Sequence, residues 1–269
     1  MWLLLKRLPI LRDPAVRRRL KQLPGIRQTT HAVRRMRRGY YRKFGQYRLQ
    51  RMLDTYPRKR VVIGAWGRSD PGWIPTQRDF LDLTKPSDWQ RYFKPESVEA
   101  MLAEHVWEHL TPEEGLAAAK TCYTYLAPGG YLRVAVPDGL HPDPAYIDTV
   151  KAGANENAHE TAASQASNGS AVALHGNAAN HKALYTYQSL KELFEAAGFR
   201  VTLYEYFDEA GRFHCEEWDR TAGTIWRSKR FDPRNRNGNL TSVYPGTLGD
   251  YLSYYSIILD AVKEGTPRM

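Results

Sequence analysis

Between residues 58 and 263, short apolar runs alternate with amphipathic stretches. Val61-Val62-Ile63 ends in Gly64, the pattern of a buried strand meeting a tight turn. Val98 to Ala103, Tyr131 to Val136, Phe199 to Phe207 and Ser253 to Val262 read as further strands. Between them, Ser87 to Tyr92 reads as a short helix. Thr111-Pro112-Glu113-Glu114 carries a capping residue, a proline at the first helical position and an acid at the third, so a helix is predicted from Pro112 to Leu126. Pro128-Gly129-Gly130 is expected to turn that helix into the next strand. Thr186 opens another helix through Leu190, Leu193 and Phe194, stopped at Gly198. A hairpin is expected around Ala210-Gly211. Strands alternating with helices predict an α/β fold with a doubly wound sheet, whose ligands bind outside the carboxyl ends of the strands.

The first 57 residues follow a different pattern. Asp13-Pro14 predicts a short helix stopped at Pro24-Gly25. A second helix is expected from Thr29-Thr30, with Val33, Met36, Tyr40, Phe44, Tyr47 and Met52 as its apolar stripe and Pro57 as its end. Charge sharpens the division. Residues 1–60 hold 19 Lys/Arg against two acids, and the rest of the chain is mildly acidic, so the net +10 hides a basic arm on an acidic body. The domains expected are a basic amphipathic arm, 1–57, and a body, 58–269. The arm suits a helix packed on the body or on a second subunit, as in a homodimer. It also suits a protein partner, or an anionic membrane surface with Trp2 to Leu5 as a foot. Nucleic acid ranks behind these, because no recognition motif accompanies the charge.

No run approaches the ~20 apolar residues of a membrane span. The charges that follow the first five residues are in the wrong order for a secretory signal. Cys122 and Cys215 stand far apart, which excludes a disulfide scaffold or a zinc ribbon and fits a reducing compartment. The expectation is a cytoplasmic protein, able to sit at the inner face of the membrane. Residues 152–180, rich in Ala, Asn and Ser without an apolar period, read as a mobile insertion beside the strand ends.

Five segments carry a resemblance. They are Val62-Ile63-Gly64-Ala65-Trp66-Gly67, Asp82-Leu83-Thr84, Ala103 to Leu110 (AEHVWEHL), Leu126 to Leu132 (LAPGGYL) and Val136-Pro137-Asp138. In this order and spacing the chain resembles class I S-adenosylmethionine-dependent methyltransferases. It is most similar to small bacterial ones often linked to polysaccharide and glycosylation loci. The resemblance implies a Rossmann-like sheet and S-adenosyl-L-methionine as cofactor. By the same resemblance Gly64, Ala65 and Gly67 would lie against the methionine tail, Asp82 and Leu83 near the adenine, and Glu104 and His105 under the cofactor. The chain departs from the family in two places. Gln77 stands where an acid would take the ribose hydroxyls, and Trp66 interrupts the glycine motif.

The implied reaction is methyl transfer, mainly to oxygen, with a glycan or lipid-linked sugar as acceptor. His105, His109 and Asp138 are the candidate bases for the acceptor proton. The alternative is a non-catalytic relative that serves as a binding or scaffold module through its basic arm. His105-Val-Trp-Glu108-His109 also fits H-x-x-E-H, a zinc peptidase signature when carried on a helix. The strand running into His105 and the later helix start at Thr111 argue against that, and no metal site is assigned. His141, His175, His181 and His214 are scattered, so only the fold could assemble a site from them.

Overall fold

A computed structural model describes residues 24–65, 70–151, 180–228 and 256–265, with the side chains of the first helix described from Gly39 onward. Residues 1–23, Trp66 and Gly67, and most of the 152–180 insertion therefore lie outside the described residues. The chain divides into two compact units, Met1–Arg48 and Leu49–Met269.

The described part of the first unit is helical. A single helix, α1, spans Pro24–Thr55. It begins at Pro24, five residues ahead of the start expected at Thr29. Proline's fixed φ suits the first helical turn, so Pro24-Gly25 opens a helix here. Tyr40, Tyr41, Phe44 and Tyr47 are exposed, and Tyr40 stacks on Phe44 with ring centroids 6.2 Å apart. No helix among the described residues is long and apolar enough to cross a membrane.

Among the described residues the second unit is built on a seven-stranded sheet in the order β2-β1-β3-β4-β7-β5-β6. The strands are β1 Arg60–Ile63, β2 Ile74–Pro75, β3 Val98–Glu104, β4 Leu126–Pro137, β5 Arg200–Phe207, β6 Phe213–Cys215 and β7 Ser256–Val262. β1 to β4 pair in parallel, and β7 inserts antiparallel between β4 and β5. The fold is thus α/β and Rossmann-like, a mostly parallel sheet with antiparallel strands toward one edge. β5 and β6 form the hairpin expected around Ala210-Gly211.

The helices are α2 Pro86–Tyr92, α3 Pro112–Tyr125, α4 Pro144–Val150 and α5 Tyr187–Ala196. Thr111 and Glu114 close a reciprocal capping box on α3, as the sequence predicts. Trp89 of α2, Ala118 and Cys122 of α3, and Leu190 and Phe194 of α5 all enter one large core with Val61, Met101, Val134 and Leu259 of the sheet. Leu49 and Leu53, at the end of α1, belong to the same core.

The other face of the sheet is covered differently. There Trp73, Trp218 and Ile225, all on irregular backbone, close over Val62, Leu102, Ala135 and Ile258. Among the described residues no helix contributes to that second cluster. Arg133 anchors the cover. Its guanidinium forms a two-pronged pair with Asp260, both bonds 2.8 Å. It also donates to the carbonyls of Asp219 and Gly223, at 2.6 and 2.8 Å. The Trp218 ring lies 4.7 Å away as a cation–π partner.

One local expectation is corrected. Pro128-Gly129-Gly130 is not a turn before the strand; it lies inside β4. The register jumps from Val98↔Leu126 to Ala100↔Tyr131, so the segment is a bulge. The bulge places Gly129 N–H on the Lys263 carbonyl and Lys263 N–H on the Gly130 carbonyl. The buried Lys263 ammonium then donates to the carbonyls of Tyr123 and Leu126, which the end of α3 would otherwise leave unpaired.

Candidate functional site

The parallel pairing brings the carboxyl ends of β1, β3 and β4 side by side. Ile63 pairs with Ala103, and Glu104 with Ala135. Gly64 turns the chain at the end of β1 with φ +69°, and a Cβ there would lie 3.0 Å from Val106 Cγ2. Only glycine satisfies both the left-handed backbone and the close approach. The turn after β1 therefore lies directly against the loop after β3. Ala65 N–H continues the edge by donating to the Thr76 carbonyl past β2, 2.9 Å away.

The loop after β3 is the most polar part of this edge. His105 takes φ +56°, which is uncommon for a residue with a side chain. Its N–H donates to the Ala135 carbonyl at 2.8 Å, which fixes it at the strand end. The ring is almost buried. Nε2 lies 3.0 Å from Ser256 Oγ at the start of β7, and Nδ1 lies 3.0 Å from Glu108 Oε1. Burial, then the field of Arg227, holds the imidazole well below the usual histidine range, so it is neutral at pH 7.

Trp107 to His109 form one 3-10 turn. Trp107 is fully buried against Phe194 and donates its indole N–H to the Gly115 carbonyl. That anchor fixes where Glu108 and His109 point. Glu108 is buried, and neither carboxylate oxygen has a hydrogen-bond partner, although Oε1 lies 3.0 Å from His105 Nδ1. Burial pushes the Glu108 carboxyl up to about 8. The H-x-x-E-H residues thus straddle a strand end and a 3-10 turn, and they do not share a helical face.

His109 instead meets His181. Their rings stand edge to face with centroids 5.0 Å apart. Lys182 and Ala183 donate their N–H groups to the Glu108 carbonyl, which clamps the chain after the insertion onto the 3-10 turn. Glu108, His109 and His181 each offer a ligand atom within 4.8 Å of the others. His181 is the residue that sequence reasoning did not connect to this loop. It lies 72 positions beyond His109 with no motif around it, so only the fold could signal it.

The remaining predicted residues have other immediate roles. Glu104 accepts the N–H groups of Trp226 and Arg227 and so ties down the irregular cover. Asp82 is buried and caps its own loop, with Oδ1 taking the Thr84 N–H and hydroxyl. Arg78 and Lys85 flank its other oxygen. Leu83 is a core side chain. Asp138, at the end of β4, is fully buried and accepts Leu140 N–H on one oxygen and Phe207 N–H on the other. Burial outweighs those two bonds and lifts its carboxyl to about 6. Gly67 lies outside the described residues.

No protein-family model matches the sequence. No curated protein matches it either. Among solved structures, the chain is similar to one in the complex of the Haloferax volcanii Trm112 methyltransferase activator with a methyltransferase, at 11% identity, 87% and 95% coverage of the two chains and TM-score 0.38. A Thermotoga maritima SAM-dependent methyltransferase, described as a possible histamine N-methyltransferase, matches at 12% identity, 87% and 96% coverage and TM-score 0.38. A Mesorhizobium loti S-adenosylmethionine-dependent methyltransferase matches at 11% identity, 80% and 95% coverage and TM-score 0.40.

Proposed function

We propose that the chain is an S-adenosylmethionine-dependent methyltransferase acting at the carboxyl ends of β1, β3 and β4. The observation that carries this reading is the Gly64 turn pressed against the loop after β3, within a sheet whose antiparallel β7 lies between β4 and β5. A glycine turn at the carboxyl end of a parallel strand lies where the ligands of such sheets bind and presents bare backbone there, which fits the methionine tail of the cofactor. Gly64, Ala65 and Gly67 would hold that tail, with Glu104 and His105 beneath it and Asp82 and Leu83 toward the adenine. The bound cofactor supplies an electrophilic methyl group. His105, neutral and fixed at the strand end, is the residue assigned to take the acceptor proton, with His109 and Asp138 as further candidates. Holding the acceptor in line with the methyl supplies much of the remaining rate. The acceptor proposed is a hydroxyl of a glycan or lipid-linked sugar. The basic arm, 1–57, would hold the body at an anionic membrane surface or on a protein partner, on the cytoplasmic side.

A second reading, a non-catalytic relative that keeps the fold for binding, draws on two observations. The Asp82 carboxylate is engaged in its own loop, and the Glu104 carboxylate is engaged by Trp226 and Arg227. Neither is free to take the ribose hydroxyls.

Calorimetric titration of S-adenosylmethionine and S-adenosylhomocysteine into the full chain separates the two. The enzyme reading expects one micromolar site, strongly weakened by Gly64→Ala in a variant that still melts cooperatively. No binding up to millimolar ligand from a folded sample would discard it. Given binding, His105→Asn keeps the left-handed backbone, which asparagine tolerates. It should lower turnover by about 100-fold or more, well beyond any loss of cofactor affinity in the same titration.

A further inference from the structure

We infer that Glu108, His109 and His181 form a binding site for one divalent transition-metal ion. The site lies where the 3-10 turn after β3 meets the chain that returns from the insertion. The inference stands without the methyl-transfer reading.

Three observations carry it. The first is the juxtaposition itself, since the three ligand atoms lie within 4.8 Å of one another. An ion bonded at about 2.0–2.1 Å to each holds its ligands roughly 3–3.5 Å apart, so the trio need close by no more than about 1.3–1.8 Å.

The second is the outer support of both rings. His109 Nδ1 lies 3.3 Å from the Asn180 carbonyl, and His181 Nδ1 lies 2.7 Å from the Val150 carbonyl. A carbonyl can only accept, so in each ring Nδ1 carries the hydrogen and Nε2 carries the lone pair. A carbonyl behind each imidazole is the arrangement that fixes tautomer and ring direction in metal-ligating histidines.

The third is the Glu108 carboxylate, almost fully buried with no hydrogen bond to either oxygen. A buried carboxylate without hydrogen bonds is destabilising unless a cation or a proton compensates it. The charged side chains whose fields reach this cluster are Arg227, Arg78 and Glu104. Arg227 and Arg78 oppose a cation and Glu104 favours one.

The donor set points to the class of ion. Two imidazole nitrogens and one carboxylate suit zinc, manganese or cobalt over magnesium or calcium, which prefer oxygen alone. Three protein ligands leave at least one position open to water or to an oxygen of another molecule.

The test uses the full chain, stripped of metal by chelation. Zn²⁺, Mn²⁺, Co²⁺ and, for comparison, Mg²⁺ are titrated separately by calorimetry. The Co²⁺ complex is also read by its visible absorption. One equivalent of a transition ion should bind, with Mg²⁺ at least tenfold weaker. His109→Ala should weaken binding by 100-fold or more and abolish the cobalt spectrum, as should His181→Ala and Glu108→Gln. His109 is the most accessible of the three, so His109→Ala is the decisive variant even if a buried replacement unfolds. Its melting temperature in chelator should match that of the parent, while added Zn²⁺ should raise the parent's melting temperature alone. Absence of one-equivalent binding by all three transition ions, or unchanged affinity in folded His109→Ala, would overturn the site. None of these measurements involves S-adenosylmethionine, so the site and the proposed reaction fail or survive separately.

Discussion

Asp138 shows how a buried carboxyl can be well bonded and still be destabilised in its charged form. Both oxygens accept backbone N–H groups, which favours the anion, yet burial lifts the carboxyl from 3.8 to about 6. The folded chain therefore holds this proton more tightly than the unfolded chain does. Its contribution to stability is full below about pH 4 and is lost as pH rises through about 6. The shift corresponds to at most ~3 kcal/mol. Denaturant midpoints measured at steps between pH 4 and pH 7 should fall more steeply for the parent than for Asp138→Asn. The amide keeps one acceptor and cannot titrate. Parallel curves would show that Asp138 does not carry this dependence. At the same scale, Gly64, Asp82 and Asp138 could be singled out in the sequence because each follows a recognisable strand or motif. What their side chains touch could not be read. Nothing local tells that the Asp138 carboxylate closes on Phe207, 69 positions away.

Elements were more legible than contacts where a local signal was strong. The Thr111–Glu114 capping box, the Val98 strand and the helix from Thr186 all rest on neighbours in sequence, and each forms where expected. Pro128-Gly129-Gly130 misled because proline and glycine signal a turn equally well when the chain bulges within a strand. The deciding interaction is with Lys263, more than 130 residues away. The same long reach makes the bulge testable. A Cβ on Gly130 would sit 2.8 Å from the carbonyl oxygens of Ala127 and Glu99, both backbone atoms that cannot swing aside. Gly130→Ala should lower stability by about 1–3 kcal/mol in chemical denaturation. A variant as stable as the parent would mean that the bulge relaxes freely.

For the whole molecule, the two faces of the sheet are held by different means. One is packed by helices. The other is closed by irregular chain pinned to Arg133. Removing one partner of a buried ion pair leaves the other uncompensated, so Arg133→Met should cost about 3–5 kcal/mol. Arg133→Met combined with Asp260→Leu should cost less than Arg133→Met alone. Equal losses would place the importance of Arg133 in its carbonyl contacts rather than in the pair. The sequence marked Arg133 only as a polar residue within a strand. The reason for a charge there is the cover over that face, which is an arrangement of the whole molecule.

β7 carries a consequence for how the molecule is made. Among the described strands it leaves the ribosome last, yet it is the strand that joins β4 to β5. Until Ser256–Val262 emerges, the β5–β6 hairpin has no sheet partner and β4 exposes an open edge. A nascent chain stalled before residue 256 would hold two unjoined pieces of sheet, a state suited to chaperone capture or to pairing with a neighbouring chain. The order of synthesis and the order of assembly therefore run in opposite directions at the centre of the sheet. Closure of the fold becomes a late, non-local event, and slow refolding is its expected signature.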